Sequence, residues 1–358
     1  MFKRQVKSLG VYIFLFSLTS IFYLIRRSIP LKFQNGILFI LFLVISAIEG
    51  FRYKVGTDTP MYEAIYNNSL NTEYSSAFVE IGYLYLNKFF VMMGLSFQVF
   101  LLVTALFINF NFIKGFIKLK LDPFASLFFY VTTGIYFSTF NTLRQAIAIS
   151  IIFCSLKLVI EKKYIKFTSL VFLSFFIHRS VFVALIIILL SRVIINPIIF
   201  IYLITSLFVV LNSPIIDELI LWSFNYLPIK YSMYMDGILN DNGVKFFNLI
   251  LPTFILIIVI LGYKKFIKLN ENNKLFINLY FIFYLCLIIS TKFLLFYRIS
   301  SYFEISLILI LPSIALLFNY KDRRIIDIIT VLIFVVYIVG KILLGHYGVI
   351  PYSVNFSL

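Results

Sequence analysis

The chain has 358 residues, 62% of them hydrophobic and only 13% charged, and its mean hydropathy is +1.02. A soluble domain would be about half apolar and a quarter charged, so the composition excludes a soluble enzyme and defines an integral membrane protein. The formal charge of +16 does not point to nucleic acid, because Lys and Arg are scattered between apolar runs instead of forming a compact basic domain with interleaved aromatics.

Apolar runs of roughly 16 to 24 residues recur along the chain, each about long enough to cross a hydrocarbon core as a helix. They do not alternate as barrel strands would. The expected fold is all-α: one polytopic membrane domain over 1–358, with about twelve transmembrane helices (10–13). Spans are predicted near 10–25, 36–51, 95–113, 123–140, 143–160, 164–178, 180–195, 197–211, 246–263, 275–291, 299–319 and 325–344. The N-terminal run resembles a signal peptide but lacks a small-residue cleavage site and is closed by Arg26 and Arg27, so it is expected as an uncleaved first span. Cys154 and Cys286 lie inside apolar runs and read as small core residues.

The first polar island is Phe51 to Asn67, FRYKVGTDTPMYEAIYN. It carries Arg52, Lys54, Asp58 and Glu63 beside a Gly-Thr turn where backbone can approach a ligand. Asp58 or Thr59 caps a helix with Pro60 in its first turn, placing Tyr62 one turn after Asp58. The segment 78–93 is shorter, and Glu80, Tyr83 and Asn87 fall on one helical face. That polar stripe would be costly against lipid, which predicts a re-entrant or interfacial helix. At the mouth of a later span Asn141, Arg144 and Gln145 share a face, and an arginine there reads either as snorkelling or as functional. His178 and Arg179 interrupt the next apolar run. The histidine is either interfacial or a base whose uncharged form Arg179 favours. Further on, Arg298 and Tyr302 form an i, i+4 pair, with Glu304 as a structural counter-ion in the alternative reading. Between them the loop 212–245 holds Trp222 and the tyrosines at 226, 231 and 234, an interfacial belt or a sugar-stacking platform.

One alternate set of loops carries about twice as many Lys and Arg as the other, which makes it cytoplasmic by the positive-inside rule. Lys3, Arg4 and Lys7 disagree, since twelve spans put the N-terminus outside. The outer loops, 52–79 and 212–245 among them, then hold the motifs above, so the chemistry is expected on the extracytoplasmic side.

The elements RYKVGTDTPMY, EIGY, NTLRQAIA, HRS and YRISSYF, in this order and each at a span boundary, resemble the EpsG family of bacterial exopolysaccharide and capsule membrane proteins. That family is similar to the Wzy-type polymerases of O-antigen repeat units and to multi-span, lipid-dependent glycosyltransferases. The resemblance implies a multi-pass protein of the bacterial cell membrane. Its donor and acceptor would be oligosaccharides linked to polyprenyl (undecaprenyl) pyrophosphate, with a flippase and a chain-length regulator as partners. It places the family's arginines at Arg52, Arg144, Arg179 and Arg298, its acid at Asp58 and its histidine at His178.

A pyrophosphate leaving group needs cations more than a general acid, and arginines supply charge and paired hydrogen bonds to phosphate. Gln145, Asn141, Tyr62, Tyr302 and Glu80 are the neighbouring polar groups expected to bind pyrophosphate or glycan. The acceptor hydroxyl needs a base, for which Asp58 and His178 are the candidates, the more elaborate motif favouring Asp58. No nucleotide-binding glycine loop and no metal pair is present, so neither cofactor nor metal is expected. The rival readings are a flippase for lipid-linked oligosaccharide, or a ligase or acyltransferase acting on exported glycan.

Overall fold

The computed structural model describes residues 2–73, 79–214, 218, 222 and 247–356. In chain order the helices are α1 Phe2–Ile25, α2 Leu31–Gly50, α3 Thr59–Asn67, α4 Ile81–Met92, α5 Phe97–Lys118, α6 Pro123–Thr132, α7 Ile135–Ser138 and α8 Leu143–Ile160. They continue as α9 Tyr164–Phe175, α10 Ile186–Leu190, α11 Pro197–Leu211, α12 Phe247–Leu269, α13 Asn273–Ile289, α14 Leu294–Glu304, α15 Ser306–Ile310 and α16 Arg323–Leu343. No strand forms among the described residues; an isolated antiparallel bridge joins Arg52 to Val354.

Seven of these helical stretches are long and apolar enough to cross a membrane: Leu9–Ser28, Leu31–Gly50, Phe97–Lys118, Leu143–Ile160, Asn248–Leu269, Leu295–Leu317 and Arg323–Leu343. Five shorter apolar helices, Pro123–Thr132, Tyr164–Phe175, Arg179–Leu190, Pro197–Leu211 and Asn273–Ile289, overlap the remaining expected spans. Length and composition therefore support seven of the roughly twelve spans expected. At about 1.5 Å per residue the shorter helices fall below the span of a hydrocarbon core. Cys154 and Cys286 are both buried and unbonded to each other.

The chain divides into two compact units, residues 1–185 with 311–358, and residues 186–310. In the first unit α5 packs on both α2 and α8, while α1 packs on α6 and α16. Ser96 starts α5 by accepting from the Val99 N–H, and Asp122 starts α6 by accepting from Phe124 and Ala125, with Pro123 in the first turn where no N–H is needed. Aromatic packing fills the interior: the Phe112 ring lies 4.4 Å from Tyr130 and 5.1 Å from Phe153, centroid to centroid. Helix direction sorts the ends of this unit. One end gathers the C-termini of α2 and α16 with the N-termini of α5 and α8, where Gln98 Nε2 donates to Gly50 O at 2.6 Å and Asn141 Nδ2 to Tyr347 O at 2.8 Å. The other gathers the C-terminus of α1 with the N-termini of α6 and α16, where Arg26 meets Asp122 at 3.0 Å and Asp327 at 2.8 Å. Lys118, Lys157, Lys162, Lys163, Arg323 and Arg324 belong to that second end by their helix termini. Arg26, which closes the first predicted span, is buried in this ion cluster.

The second unit centres on α13. Phe281 stacks on Phe200 of α11 at 3.9 Å, and Asn278 donates to Leu190 O and Val193 O at 2.9 and 2.8 Å while accepting from the Ile195 N–H. One amide side chain thus satisfies three backbone groups of an irregular turn, which an apolar setting would otherwise leave costly. Arg298 and Tyr302 lie on α14 of this unit, Arg298 exposed and Tyr302 fully buried. Most of the loop 212–245, including Tyr226, Tyr231 and Tyr234, lies outside the described residues; Trp222 is exposed.

Candidate functional site

The polar island after α2 is held in place by the C-terminal segment. The Tyr53 N–H donates to Ser353 O at 2.9 Å, the Asn355 N–H to Phe51 O at 3.0 Å and the Gly56 N–H to Gly348 O at 3.0 Å. Tyr12 and Tyr352 add hydroxyl bonds to Val349 O and Ile48 O, both at 2.9 Å. Asn141 closes the joint, since its Oδ1 accepts from the Thr57 N–H at 2.6 Å while its Nδ2 donates to Tyr347 O. Asn141 thus joins the residue 57 loop to the C-terminal segment through both ends of its amide. Gly56 adopts φ +97°, and a Cβ there would stand 2.8 Å from both Asn141 Oδ1 and Phe140 O. Gly56→Ala therefore combines a left-handed penalty of about 1–2 kcal/mol with a clash against backbone. We expect it to lower stability by roughly 2 kcal/mol or more, read as a drop in the thermal unfolding midpoint of the detergent-solubilised protein.

From this loop α3 leaves as predicted, with Asp58 before it and Pro60 in its first turn. Thr57 Oγ1 donates to Asp58 Oδ1 at 3.0 Å. Tyr62 is buried and packs 6.1 Å from the Tyr83 ring of α4. Burial raises the Tyr62 pKa, the nearby Arg144 guanidinium and its hydrogen bond oppose the rise, and Asp58 adds to it. Tyr62 therefore stands beside the Arg144 guanidinium.

Glu80 is the centre of the second group. It precedes α4, and its carboxylate is engaged from three directions. Arg144 Nη1 donates to Oε2, the Arg179 N–H donates to Oε1 at 3.2 Å, and His178 Nδ1 stands 3.3 Å from Oε1. Gly82 lets α4 approach the end of α9, for its N–H donates to Phe176 O at 2.8 Å and a Cβ there would lie 2.7 Å from that oxygen. Burial alone would push Glu80 upward. The contact with His178, the Arg144 charge and the Arg179 N–H overcome it and hold the carboxyl at about 2, so Glu80 is ionised throughout the physiological range. Neither His178 Nδ1 nor Nε2 makes an aligned hydrogen bond among the described residues. Arg144 Nε, the Tyr83 hydroxyl, Asn87 Oδ1 and Ser174 Oγ, also on α4, α8 and α9, are likewise buried and unpaired. Buried polar atoms without a partner mark places for water or ligand.

The polar stripe predicted for 78–93 is therefore turned inward, with Tyr83 and Asn87 both fully buried. Its first residue, Phe78, lies outside the described residues. In the first unit the structure brings Tyr62, Glu80, Arg144, His178 and the Arg179 backbone into one continuous set, while Asp58 bonds to Thr57 at the start of α3. Gln145 is buried beside them on α8, and the Arg179 side chain is exposed.

Arg52 sits apart. It is 1% exposed, Nη1 donates to Glu49 O at 2.6 Å, and its guanidinium lies 4.8 Å over the Phe140 ring. The side chain expected at pyrophosphate is directed into the protein. Beneath it Glu49, which the motif reading did not single out, accepts from Asn109 Nδ2 and Thr139 Oγ1, both at 2.7 Å, and is wholly buried. A lone acid ending an apolar run was its visible signal. Among the described residues no three His, Cys, Asp or Glu are placed to hold a metal ion. Neither a curated protein nor a solved structure matches the chain. A family model described as the EpsG family matches residues 35–354.

Proposed function

The chain belongs to the EpsG family of polysaccharide-polymerase-type membrane proteins, and from that premise we propose that it lengthens a glycan by joining lipid-linked repeat units. The donor is an oligosaccharide on polyprenyl pyrophosphate and the acceptor is a sugar hydroxyl of a second such unit. The observation carrying this reading is the convergence of Glu80, Arg144 and His178 from three separate helix boundaries. An ionised carboxylate facing His178 Nδ1 favours the proton on that nitrogen, leaving the Nε2 lone pair as the base. This geometry favours His178 over Asp58 for that role. The acceptor oxygen bonds to the donor's anomeric carbon, the bond from that carbon to the pyrophosphate oxygen breaks, and the hydroxyl proton passes to Nε2. Arg144 Nε and the exposed Arg179 are the cations at hand for the departing pyrophosphate.

The extracytoplasmic placement is supported by helix direction, since the site lies at the end of the first unit opposite its lysine-bearing termini. Grouping at one end also favours transfer over transport, which would put polar groups near the bilayer midplane. The test supplies lipid-linked repeat units to the purified protein in nanodiscs. A ladder of lengthened glycans is expected, and His178→Ala should slow it by about 100-fold or more. Full ladders from His178→Ala would remove the histidine from the mechanism.

A further inference from the structure

A cavity of about 390 Å³ opens in the first unit beside α3, away from the Glu80 group. Its walls come from the loop at Tyr53 and Lys54, from Thr59, Glu63 and Tyr66 of α3, and from Phe97 and Gln98 at the start of α5. The volume falls within the roughly 300–1,000 Å³ usual for ligand pockets. Tyr62, on the neighbouring face of the same helix, reaches Arg144. The cavity and the proposed catalytic group are therefore separated by one short helix.

The charges on its wall identify what it would hold. Lys54 approaches only the Tyr53 ring, at 5.3 Å, and no ion pair or hydrogen bond engages Glu63 among the described residues. Arg52 lines the cavity, yet its guanidinium is turned inward onto Glu49 O and Phe140, where Nε and Nη2 have no exposed surface. The lining thus presents one ammonium and one carboxylate, and Glu63 would repel a pyrophosphate. Gln98 is committed to Gly50 O and Arg52 O, at 2.6 and 3.3 Å, which fixes the floor. The Tyr53 ring, 39% exposed, and Phe97 supply aromatic surface. A carboxylate and an ammonium for hydroxyl groups, with aromatic faces for C–H surface, suit an uncharged polyhydroxylated ring.

Backbone conformation supports a built site. Lys54, Lys120 and Lys162 have φ of 52°, 56° and 57°. Lys120 and Lys162 directly follow the ends of α5 and α8, where left-handed residues are common. Lys54 ends no helix, and left-handed strain of about 1–2 kcal/mol at a non-glycine clusters at ligand sites.

We propose that this cavity is a sugar subsite, seating an uncharged ring of the repeat unit apart from its pyrophosphate; the identity of that glycan rests on the polymerase reading above. The probe is the repeat-unit oligosaccharide, free of lipid and phosphate, released from the polysaccharide of the source cells. Saturation-transfer NMR on the full chain in nanodiscs should detect binding that excess inorganic pyrophosphate does not displace. Glu63→Gln and Tyr53→Ala should each weaken it at least tenfold at an unchanged unfolding midpoint. In the ladder assay both should raise KM more than they lower kcat. Absent binding by the wild type, displacement by pyrophosphate, or wild-type affinity in both variants would overturn the subsite. Ladders formed at wild-type KM by both variants would overturn it while leaving the polymerase reading intact. Binding lost in the variants with no ladder from any protein would keep the subsite and sink the polymerase reading.

Discussion

Glu80→Gln is expected to cut glycan elongation by about 100-fold or more, measured as kcat at a temperature below the variant's own unfolding midpoint. Glutamine keeps the shape of the side chain and an oxygen for the Arg179 N–H, so the change removes charge and little else. Two consequences follow for the proposed reaction. His178 loses the anion that faces Nδ1 at 3.3 Å, and Arg144 loses its only ion-pair partner among the described residues. General-base catalysis is typically worth about 10²–10⁴-fold, which sets the expected loss. A residue that merely braced α4 would change stability and leave kcat intact in the folded variant, whereas here kcat should fall even where Glu80→Gln is fully folded. Wild-type kcat in Glu80→Gln would take Glu80 out of the chemistry.

The same carboxylate makes a signed prediction for stability. Its folded pKa is depressed to about 2, below an ordinary glutamate at about 4.3. Its contribution is therefore fully present above the unfolded value and is lost as pH falls from about 4.3 towards 2. The gap in unfolding midpoint between wild type and Glu80→Gln should be widest near neutrality and close in that acid window.

Much of this site could be read from the sequence because its residues carry local signals. Pro60 is helix-start chemistry and α3 begins at Thr59, although the Asp58 side chain before it makes no capping bond. Glu80, Tyr83 and Asn87 share a helical face, and two of the three are buried together on α4. Arg52 stood out in the sequence as a cation in a polar island, but the sequence does not show where its side chain points. Its direction depends on the bonds that the C-terminal segment makes to residues 51–56, some 300 positions away, and GHYGVIPYSVN carries neither helical nor strand periodicity. Of the roughly twelve runs expected as spans, seven form helices long and apolar enough to cross a membrane and five form shorter ones. Apolar length alone does not reveal where a run breaks, and residues 179–190 divide into short 3-10 and α pieces. Charge counting met a third limit, since Arg26 finds Asp122 and Asp327 only through folding.

That last cluster carries the largest stability effect expected of a single substitution. Asp327 receives Arg26 Nη2 at 2.8 Å, the Tyr23 hydroxyl at 3.0 Å and Arg27 Nη1 at 3.1 Å. The Arg26 and Asp327 side chains are 3% and 4% exposed. The other acid of the group, Asp122, is 37% exposed and is also occupied with capping α6. Asp327→Ala would leave a guanidinium buried at the junction of α1, α6 and α16 with only its wetter partner. Removing one member of a buried pair typically costs about 3–5 kcal/mol, more than the loss of any cap or surface pair here. The pair as a whole is a different matter, because apolar replacement of both members is often neutral or stabilising. Asp327→Leu combined with Arg26→Met should therefore recover most of what Asp327→Ala loses, a coupling that a double-mutant cycle measures directly. The cluster lies at the end of the first unit remote from Glu80, so Asp327→Ala should lower the unfolding midpoint sharply while kcat, measured well below it, stays near wild type. A midpoint change equivalent to under about 1 kcal/mol, the value of an exposed ion pair, would show that these charges remain hydrated and that the junction is held by its aromatic packing alone.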